Sequence, residues 1–360
     1  RTQIIDHSLG EISSKDTIPN NTMLVILTQE NYVKRVLPSS FRTQHRGGKG
    51  IIGMATKEED EIQIMKYTHN HDELLYFTNR GRVFRLPVYE IPQTTRTAKG
   101  CAIVNLLQLE KEEQVTAILN ANDKFSGKYL FMGTRKGTVK KTPVEDFKNV
   151  RKSGLIAIKL RPDDALQWVK ETGGEDNIVM VTHNGQCIFF PESNVRSMGR
   201  ASMGVRGMRT KGDDTVIQMD VVQGSGADLL VVSENGLGKR SPLSSYRFQG
   251  RGGSGVKTAN LTAKTGKVVG AEVLTKETEG DLVVVSKAGQ LIRIPIKSIP
   301  TLGRATQGVY VMRMNKDDRV ASISVIRPEP EDATTSGEVQ TEGESEPETA
   351  KGIPEQQTLV

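Results

Sequence analysis

An all-β ring of six equal blades is the fold this sequence predicts, and three observations predict it. A run of four mostly apolar residues recurs six times, as LVIL (24–27), LLYF (74–77), LFMG (130–133), IVMV (178–181), LLVV (229–232) and LVVV (282–285). Seven residues after the start of each run stands a turn residue: Asn31, Gly81, Gly137, Gly185, Gly236 or Gly289. A second glycine closes each motif, at Gly50, Gly100, Gly154, Gly204, Gly255 and Gly308, 19 residues past the turn in five repeats and 17 in the third. Units of about 50 residues, each with about four strand-like runs, are the pattern of a bladed ring and not of a barrel or a pair of sandwiches.

Each mark has a physical reason. The apolar run is continuous because a strand inside a blade is covered on both faces by its neighbours. The phrases NRG (79–81), HNG (183–185) and ENG (234–236) lie between two strand-like runs, where a tight hairpin needs positive φ and glycine supplies it without a Cβ clash. Asn31 replaces glycine in the first repeat, and asparagine is the next most tolerant residue in that conformation. Six residues past the turn comes Pro87, Pro143, Pro191, Pro242 or Pro295, with Pro38 one place late in the first repeat. Proline offers no N–H and ends the ladder there. Beyond the closing glycine, runs such as CAIVNL (101–106) and QVTAIL (114–119) read as further strands, and helical periodicity is nearly absent.

The net charge of +6 conceals a division along the chain. From Arg327 to Val360 nine acids stand against two cations, so this stretch carries −7 and the 326 residues before it carry +13. That predicts a polyanion-binding domain over 21–326, in repeats near 21–70, 71–127, 128–174, 175–226, 227–280 and 281–326. An acidic, Pro/Thr/Ser/Glu-rich tail over 327–360 is expected to be disordered, and either competes for the basic surface or only keeps the chain in solution. Residues 1–20 read as a linker, and a chain starting at Arg1 reads as a piece of something longer, with any catalytic apparatus elsewhere. No apolar run approaches the roughly 20 residues that cross a bilayer and no signal peptide precedes the repeats, which reads as a soluble, cytoplasmic protein. Cys101 and Cys187 have neither disulfide-framework nor metal-ligand spacing.

Cations fall at two repeated addresses. Four residues after the hairpin turn stand Arg35, Arg85, Lys141, Arg240 and Arg293, with Phe189 the exception in the fourth repeat. Four residues before the closing glycine stand Arg46, Arg96, Arg200, Arg251 and Arg304; the shorter third repeat shifts its arginine to Arg151. Equivalent positions on successive blades would form a positive belt. Ideal alternation puts the first address on the same side as the apolar position two before it, so those side chains either snorkel out or sit where the strand twists or bulges. The ligand that fits a curved cationic belt is duplex DNA, which carries one charge per about 1.7 Å of axis. Smoothly bending a 20–30 bp site costs on the order of 1–6 kcal/mol, which phosphate contacts on several blades can offset. Such contacts position the duplex without reading bases.

One stretch appears twice: SSFRTQHRGGKG at 39–50 and SSYRFQGRGGSG at 244–255. Its glycines free backbone N–H groups to approach an anion, and its cations, among them Arg42, Arg46, Lys49, Arg247 and Arg251, supply charge. The heptad QHRGGKG closely resembles the gyrase A box, QRRGGKG, of the C-terminal domain of the DNA gyrase A subunit family, and NYVKR (31–35) and the six repeats fit the same domain over residues 21–326.

That resemblance implies a six-bladed β-pinwheel of four-stranded antiparallel blades, with strands exchanged between neighbours and DNA wrapped with one handedness around the outer edge. Wrapping would present a transported segment to a type IIA topoisomerase, so that the ATP-dependent enzyme introduces negative supercoils. The implied partners are double-stranded DNA, the dimeric remainder of the gyrase A polypeptide, and the gyrase B polypeptide in an A2B2 assembly in the bacterial nucleoid; the isolated domain is expected to be monomeric and needs no cofactor, ATP and Mg acting elsewhere. Gln44, Arg46, Gly47, Gly48, Lys49 and Gly50 match the box, while His45 replaces arginine with a mostly neutral side chain. Ser254 replaces Lys49 in the second loop, which reads as an auxiliary contact.

Other chemistries are poorly supported. Gly250, Gly252 and Gly255 spell GxGxxG, but no helix or βαβ unit follows. His69, His71 and Asp72 read as a solvated loop, Trp168 and the methionines as packing, and none of the seven tyrosines follows an arginine, as the nucleophile of the resembled family does. Two alternatives stay open: the DNA-bending domain of the topoisomerase IV counterpart, and a propeller scaffold for an acidic protein or small ligand.

Overall fold

A computed structural model of the chain describes residues 17–38, 62–95, 97–121, 125–275, 278, 280–288, 290–315 and 317–326. The first repeat supplies β1 (Thr22–Thr28), β2 (Tyr32–Val36) and β3 (Ile62–His69). The second gives β4 (Glu73–Thr78), β5 (Arg82–Pro87), β6 (Cys101–Ala102) and β7 (Val115–Asn120); the third β8 (Tyr129–Thr134), β9 (Thr138–Pro143), β10 (Leu155–Ile156) and β11 (Leu166–Thr172). The fourth gives β12 (Asn177–Thr182), β13 (Gln186–Pro191), β14 (Val205–Arg206) and β15 (Val216–Val222). The fifth gives β16 (Asp228–Ser233), β17 (Leu237–Pro242), β18 (Val256–Lys257) and β19 (Val268–Leu274); the sixth β20 (Asp281–Ser286), β21 (Leu291–Pro295), β22 (Val309–Tyr310) and β23 (Val320–Ile326).

The ring is a six-bladed β-propeller of antiparallel sheets, as the repeat predicts. The sheets read β3-β1-β2-β6, β7-β4-β5-β10, β11-β8-β9-β14, β15-β12-β13-β18 and β19-β16-β17-β22, with β23-β20-β21 as the described part of the sixth. Each two-residue strand belongs to the repeat after the blade it completes, so neighbours exchange strands. The long strands β3, β7, β11, β15, β19 and β23 pack against one another in that order, which puts them innermost and the borrowed strands at the perimeter.

The core lies between blades. Leu74 and Tyr76 pack with Met23, Val25 and Leu27 of the first blade, while Leu75 and Phe77 pack with Leu130, Met132 and Phe147 of the third. Alternate side chains of one strand thus enter two different cores, and the run has to be apolar throughout. Fully burying such side chains stabilises by about 1.5–3 kcal/mol each.

The hairpin turns follow the sequence rule: Asn31 adopts φ 62° and its side chain also donates to the Glu113 carbonyl at 3.0 Å and accepts from the Val115 amide at 3.2 Å, joining blades 1 and 2. The closing glycine is sterically required. Gly204 has φ +79°, and a Cβ there would stand 2.5 Å from the Val139 carbonyl oxygen. One expectation needs correction. Of the CAIVNL run only Cys101–Ala102 is strand, because the borrowed strand pairs with just two residues at the start of β2, and Ile103–Asn105 turn into a one-turn 3-10 helix. No helix is long and apolar enough to cross a membrane among the described residues. The box residues 44–50, Arg42, Arg96, most of the linker and the tail 327–360 lie outside the described residues.

Candidate nucleic-acid interface

The segments before and after the closing glycines Gly154, Gly204, Gly255 and Gly308 cross the perimeter and are joined end to end. The Lys159 amide donates to Ser202 O at 3.1 Å, the Arg209 amide to Gly253 O at 2.8 Å and the Asn260 amide to Thr306 O at 3.0 Å, so four consecutive repeats form one hydrogen-bonded band. Gly252 N adds a bond to Gly207 O at 2.6 Å. The band contains no acid: residues 147–162, 193–212, 244–267 and 296–316 hold neither Asp nor Glu. Arg151, Arg247 and Arg251 are exposed on it, and Arg200 and Arg304 half-exposed. Arg251 Nε donates to Asn194 O at 2.8 Å and Arg304 Nη1 to Lys257 O at 2.9 Å, which anchors each guanidinium by one edge. The loop at 244–255 is thereby held by its neighbours, not only by its own repeat.

The strand address behaves otherwise. Arg35 and Lys141 are buried, because both faces of a propeller blade are covered and ideal alternation carries them inward. No snorkelling or bulge is needed: β2 pairs regularly with β1 through Arg35 opposite Val25. Protein groups occupy each cation. Arg35 Nε donates to Ile91 O at 2.6 Å and Nη1 to the Asn70 side chain. Lys141 Nζ reaches Glu192 O at 3.4 Å and Arg240 Nε donates to Ile299 O at 2.8 Å. Arg85 pairs with Glu73, and Arg293 Nε donates to Asp281 at 2.5 Å. Arg293 is the exposed member of this set. The strand cations therefore do not complete an outward-facing belt; most of them tie one repeat to the next. In the fourth blade Phe189 takes the cation's place and stacks on Phe248 of the following repeat, ring centroids 4.5 Å apart.

Comparison with known proteins places this geometry. A family model described as "DNA gyrase C-terminal domain, beta-propeller" matches residues 22–66, 72–122, 128–172, 176–223, 227–275 and 280–327, one match per blade. The chain belongs to the DNA gyrase C-terminal domain family. The DNA gyrase A protein of Staphylococcus aureus is 38% identical over 348 residues, 96% of this chain and 39% of that protein, so the chain spans well under half of the curated relatives it matches. Among solved structures, the C-terminal domain of a DNA topoisomerase IV aligns with TM-score 0.72 at 26% identity, covering 86% of this chain and 94% of that one. A DNA gyrase A C-terminal domain aligns with TM-score 0.66 at 27% identity, covering 85% and 99%. The E. coli ParC C-terminal domain, at 15% identity and TM-score 0.54, shares the fold, covering 71% of this chain and 99% of that one.

Within this gyrase-domain fold the perimeter band brings together cations that the two addresses miss. Arg206 and Lys257 stand two residues past the closing glycine, Lys159, Arg209 and Arg313 five past it, and all five are exposed. The signal that finds them is the absence of acids around the glycine, since neither of these addresses carries a cation in every repeat. A cleft of about 550 Å³ between repeats 3 and 4 is lined by Lys136, Arg161, Arg206 and Arg209, and its Asp164 is spent on the hairpin, accepting from Lys136 N at 2.9 Å and from the Thr134 hydroxyl at 2.7 Å. The histidine loop is structural: His71 Nε2 lies 2.6 Å from Ile18 O and His69 Nδ1 3.4 Å from Asp72. Cys187 is buried and burial pushes its thiol well above the usual range.

Proposed function

We propose that this chain is the DNA-wrapping domain of a gyrase A protein, a non-catalytic part of a type IIA topoisomerase. It binds duplex DNA along its outer edge without reading bases and curves it, so that a complete enzyme, with ATP and the gyrase B protein, introduces negative supercoils. The observation that carries this reading is the hydrogen-bonded, acid-free band of exposed arginines and lysines on the perimeter. A stiff polyanion following that band meets phosphate-binding groups on successive blades, each contact releasing counterions. Gln44, His45, Arg46, Gly47, Gly48, Lys49 and Gly50, with Arg42, extend the contact set by their resemblance to the box, as does Arg96 by its address.

The test is a topology assay: closed circular DNA is relaxed by a separate topoisomerase in the presence of the domain, and linking number is read on gels. Positive writhe of one sign, growing with domain concentration, is expected. Failure to bind DNA at low salt overturns the reading. Binding with weak or no handed writhe instead supports a topoisomerase IV-type bending domain, the second reading, which the alignment to a topoisomerase IV C-terminal domain favours.

A further inference from the structure

Two consecutive positions after the hairpin turn divide the blades into two classes. Blades 1, 3 and 5 hold Lys34–Arg35, Lys140–Lys141 and Lys239–Arg240, whereas blades 2, 4 and 6 hold Phe84–Arg85, Ile188–Phe189 and Ile292–Arg293. Lys34, Lys140 and Lys239 are among the largest fully buried side chains of the protein. Each ammonium group donates to at least one backbone carbonyl of the incoming perimeter segment, and that of Lys140 also to Ala157 of its own repeat. Lys34 Nζ donates to Ala98 O at 2.8 Å, and Lys140 Nζ to Ala157 O at 2.7 Å and to Arg200 O. Lys239 Nζ donates to Gly303 O at 2.7 Å, Arg304 O at 2.5 Å and Thr306 Oγ1 at 3.0 Å.

The second residue of each pair grips the same segment through its backbone. Arg35 N donates to Pro92 O and its carbonyl accepts from Thr94 N; Lys141 O accepts from Met198 N; Arg240 N donates to Pro300 O and its carbonyl accepts from Leu302 N. The result is an isolated parallel bridge, Arg35 to Gln93, Lys141 to Ser197 and Arg240 to Thr301, found in these three blades among the described residues. The fourth blade keeps the carbonyl bond alone, Gln249 N donating to Phe189 O at 2.9 Å, so what sets the dibasic blades apart is the buried ammonium. Desolvating an ammonium is costly, yet Phe84 and Ile188 occupy the same place in their blades fully buried. The blade itself can do without the charge there.

We infer that the three dibasic pairs are positioning residues, which hold the described perimeter segments of repeats 2, 4 and 6 in one conformation and so present Arg200 and Arg304 as fixed phosphate contacts. The inference rests on the proposed DNA binding for what the segments do, and on the geometry alone for how they are held. Between the arginine and the closing glycine, repeat 4 has Ala201, Ser202 and Met203 and repeat 6 has Ala305, Thr306 and Gln307; of the segments without a dibasic pair, repeat 5 has Gly252, Gly253 and Ser254 and the shorter repeat 3 has Lys152 and Ser153, so the two classes differ in how they are held and not in glycine content.

The test compares Lys140→Met/Lys239→Met with Phe84→Met, the matching change in an unclamped blade, by hydrogen exchange and by DNA binding across salt. Amides of 198–206 and 302–309 should exchange about tenfold faster or more in the double lysine variant, as local opening becomes easier. Its log affinity against log salt should flatten by about one to two units, each phosphate neutralised being worth about 0.9. Phe84→Met should change neither. Unchanged exchange in both segments overturns the inference. If the parent binds no DNA while exchange still accelerates, the proposed function fails and the clamp stands. Should the double variant not fold, Lys140→Met and Lys239→Met alone are each read in their own segment; a single variant that also fails to fold shows that the fold needs the charge, and overturns the assignment.

Discussion

The strand cations and the perimeter cations recur with the same regularity in sequence and come to opposite ends in the fold. Arg35 and Lys141 are drawn inside and spent on protein carbonyls, whereas Arg151, Arg247 and Arg251 stay exposed on an acid-free band. A repeated address locates a place on every blade, but exposure depends on which neighbour covers that place. Where a sheet has a neighbour on both faces, as around Arg35 and Lys141, a charged residue within a strand has no solvent side to choose, whereas Arg293 in β21 of the last blade stays exposed.

The largest expected effect comes from removing perimeter charge. The triple change Arg200→Ala, Arg251→Ala and Arg304→Ala should weaken DNA binding at 50 mM salt by on the order of 10² to 10³ and lower the salt slope by about 2.7, at ~0.9 per phosphate. Thermal unfolding should move little, since surface changes are usually within about 0.5 kcal/mol each. An unchanged salt slope would erase the contrast between the two sets. Next comes the strand set. Arg35→Met leaves the Ile91 carbonyl and Asn70 short of a donor, and should cost about 1–3 kcal/mol in denaturant unfolding while the salt slope holds. A stable variant with a flatter slope would mean that Arg35 reaches DNA after all.

The smallest effect sharpens the comparison within the clamped blades. Burial lowers Lys140 to about 8, opposed by Asp146 and aided by Arg200, and lowers Lys239 to about 8, aided by Arg304. In the unfolded chain a lysine keeps its proton to about pH 10.4. Between about 8 and 10.4 the unfolded state therefore binds more protons than the folded one, and stability contributed by these groups rises with pH. The clamp loses its charge-assisted bonds over the same window. DNA affinity should fall about two- to threefold from pH 7 to 9 while unfolding free energy gains, and Lys140→Met/Lys239→Met should flatten both trends; parallel movement of affinity and stability in the parent would count against the clamp.

Much of the fold was legible because each mark has a local cause. Hairpin turns need positive φ, so Asn31, Gly81, Gly137, Gly185 and Gly236 were readable as turns, Gly289 lying outside the described residues, and proline at the strand end was readable as a stop. CAIVNL was misleading because its composition suits a strand while only two of its residues have a partner to pair with. The perimeter cations Arg206 and Arg209 were hidden because they do not recur at one address in every repeat; what recurs is a stretch without acids.

By itself the sequence determined the number of blades, the turns and the apolar strands, since these follow from backbone sterics and from burial within tens of residues. Only the tertiary structure decided which cations face water. That choice depends on borrowed strands and neighbouring blades, as when Lys140 meets the Arg200 carbonyl 60 residues away, and local chemistry cannot encode a contact whose other half is supplied by the next repeat.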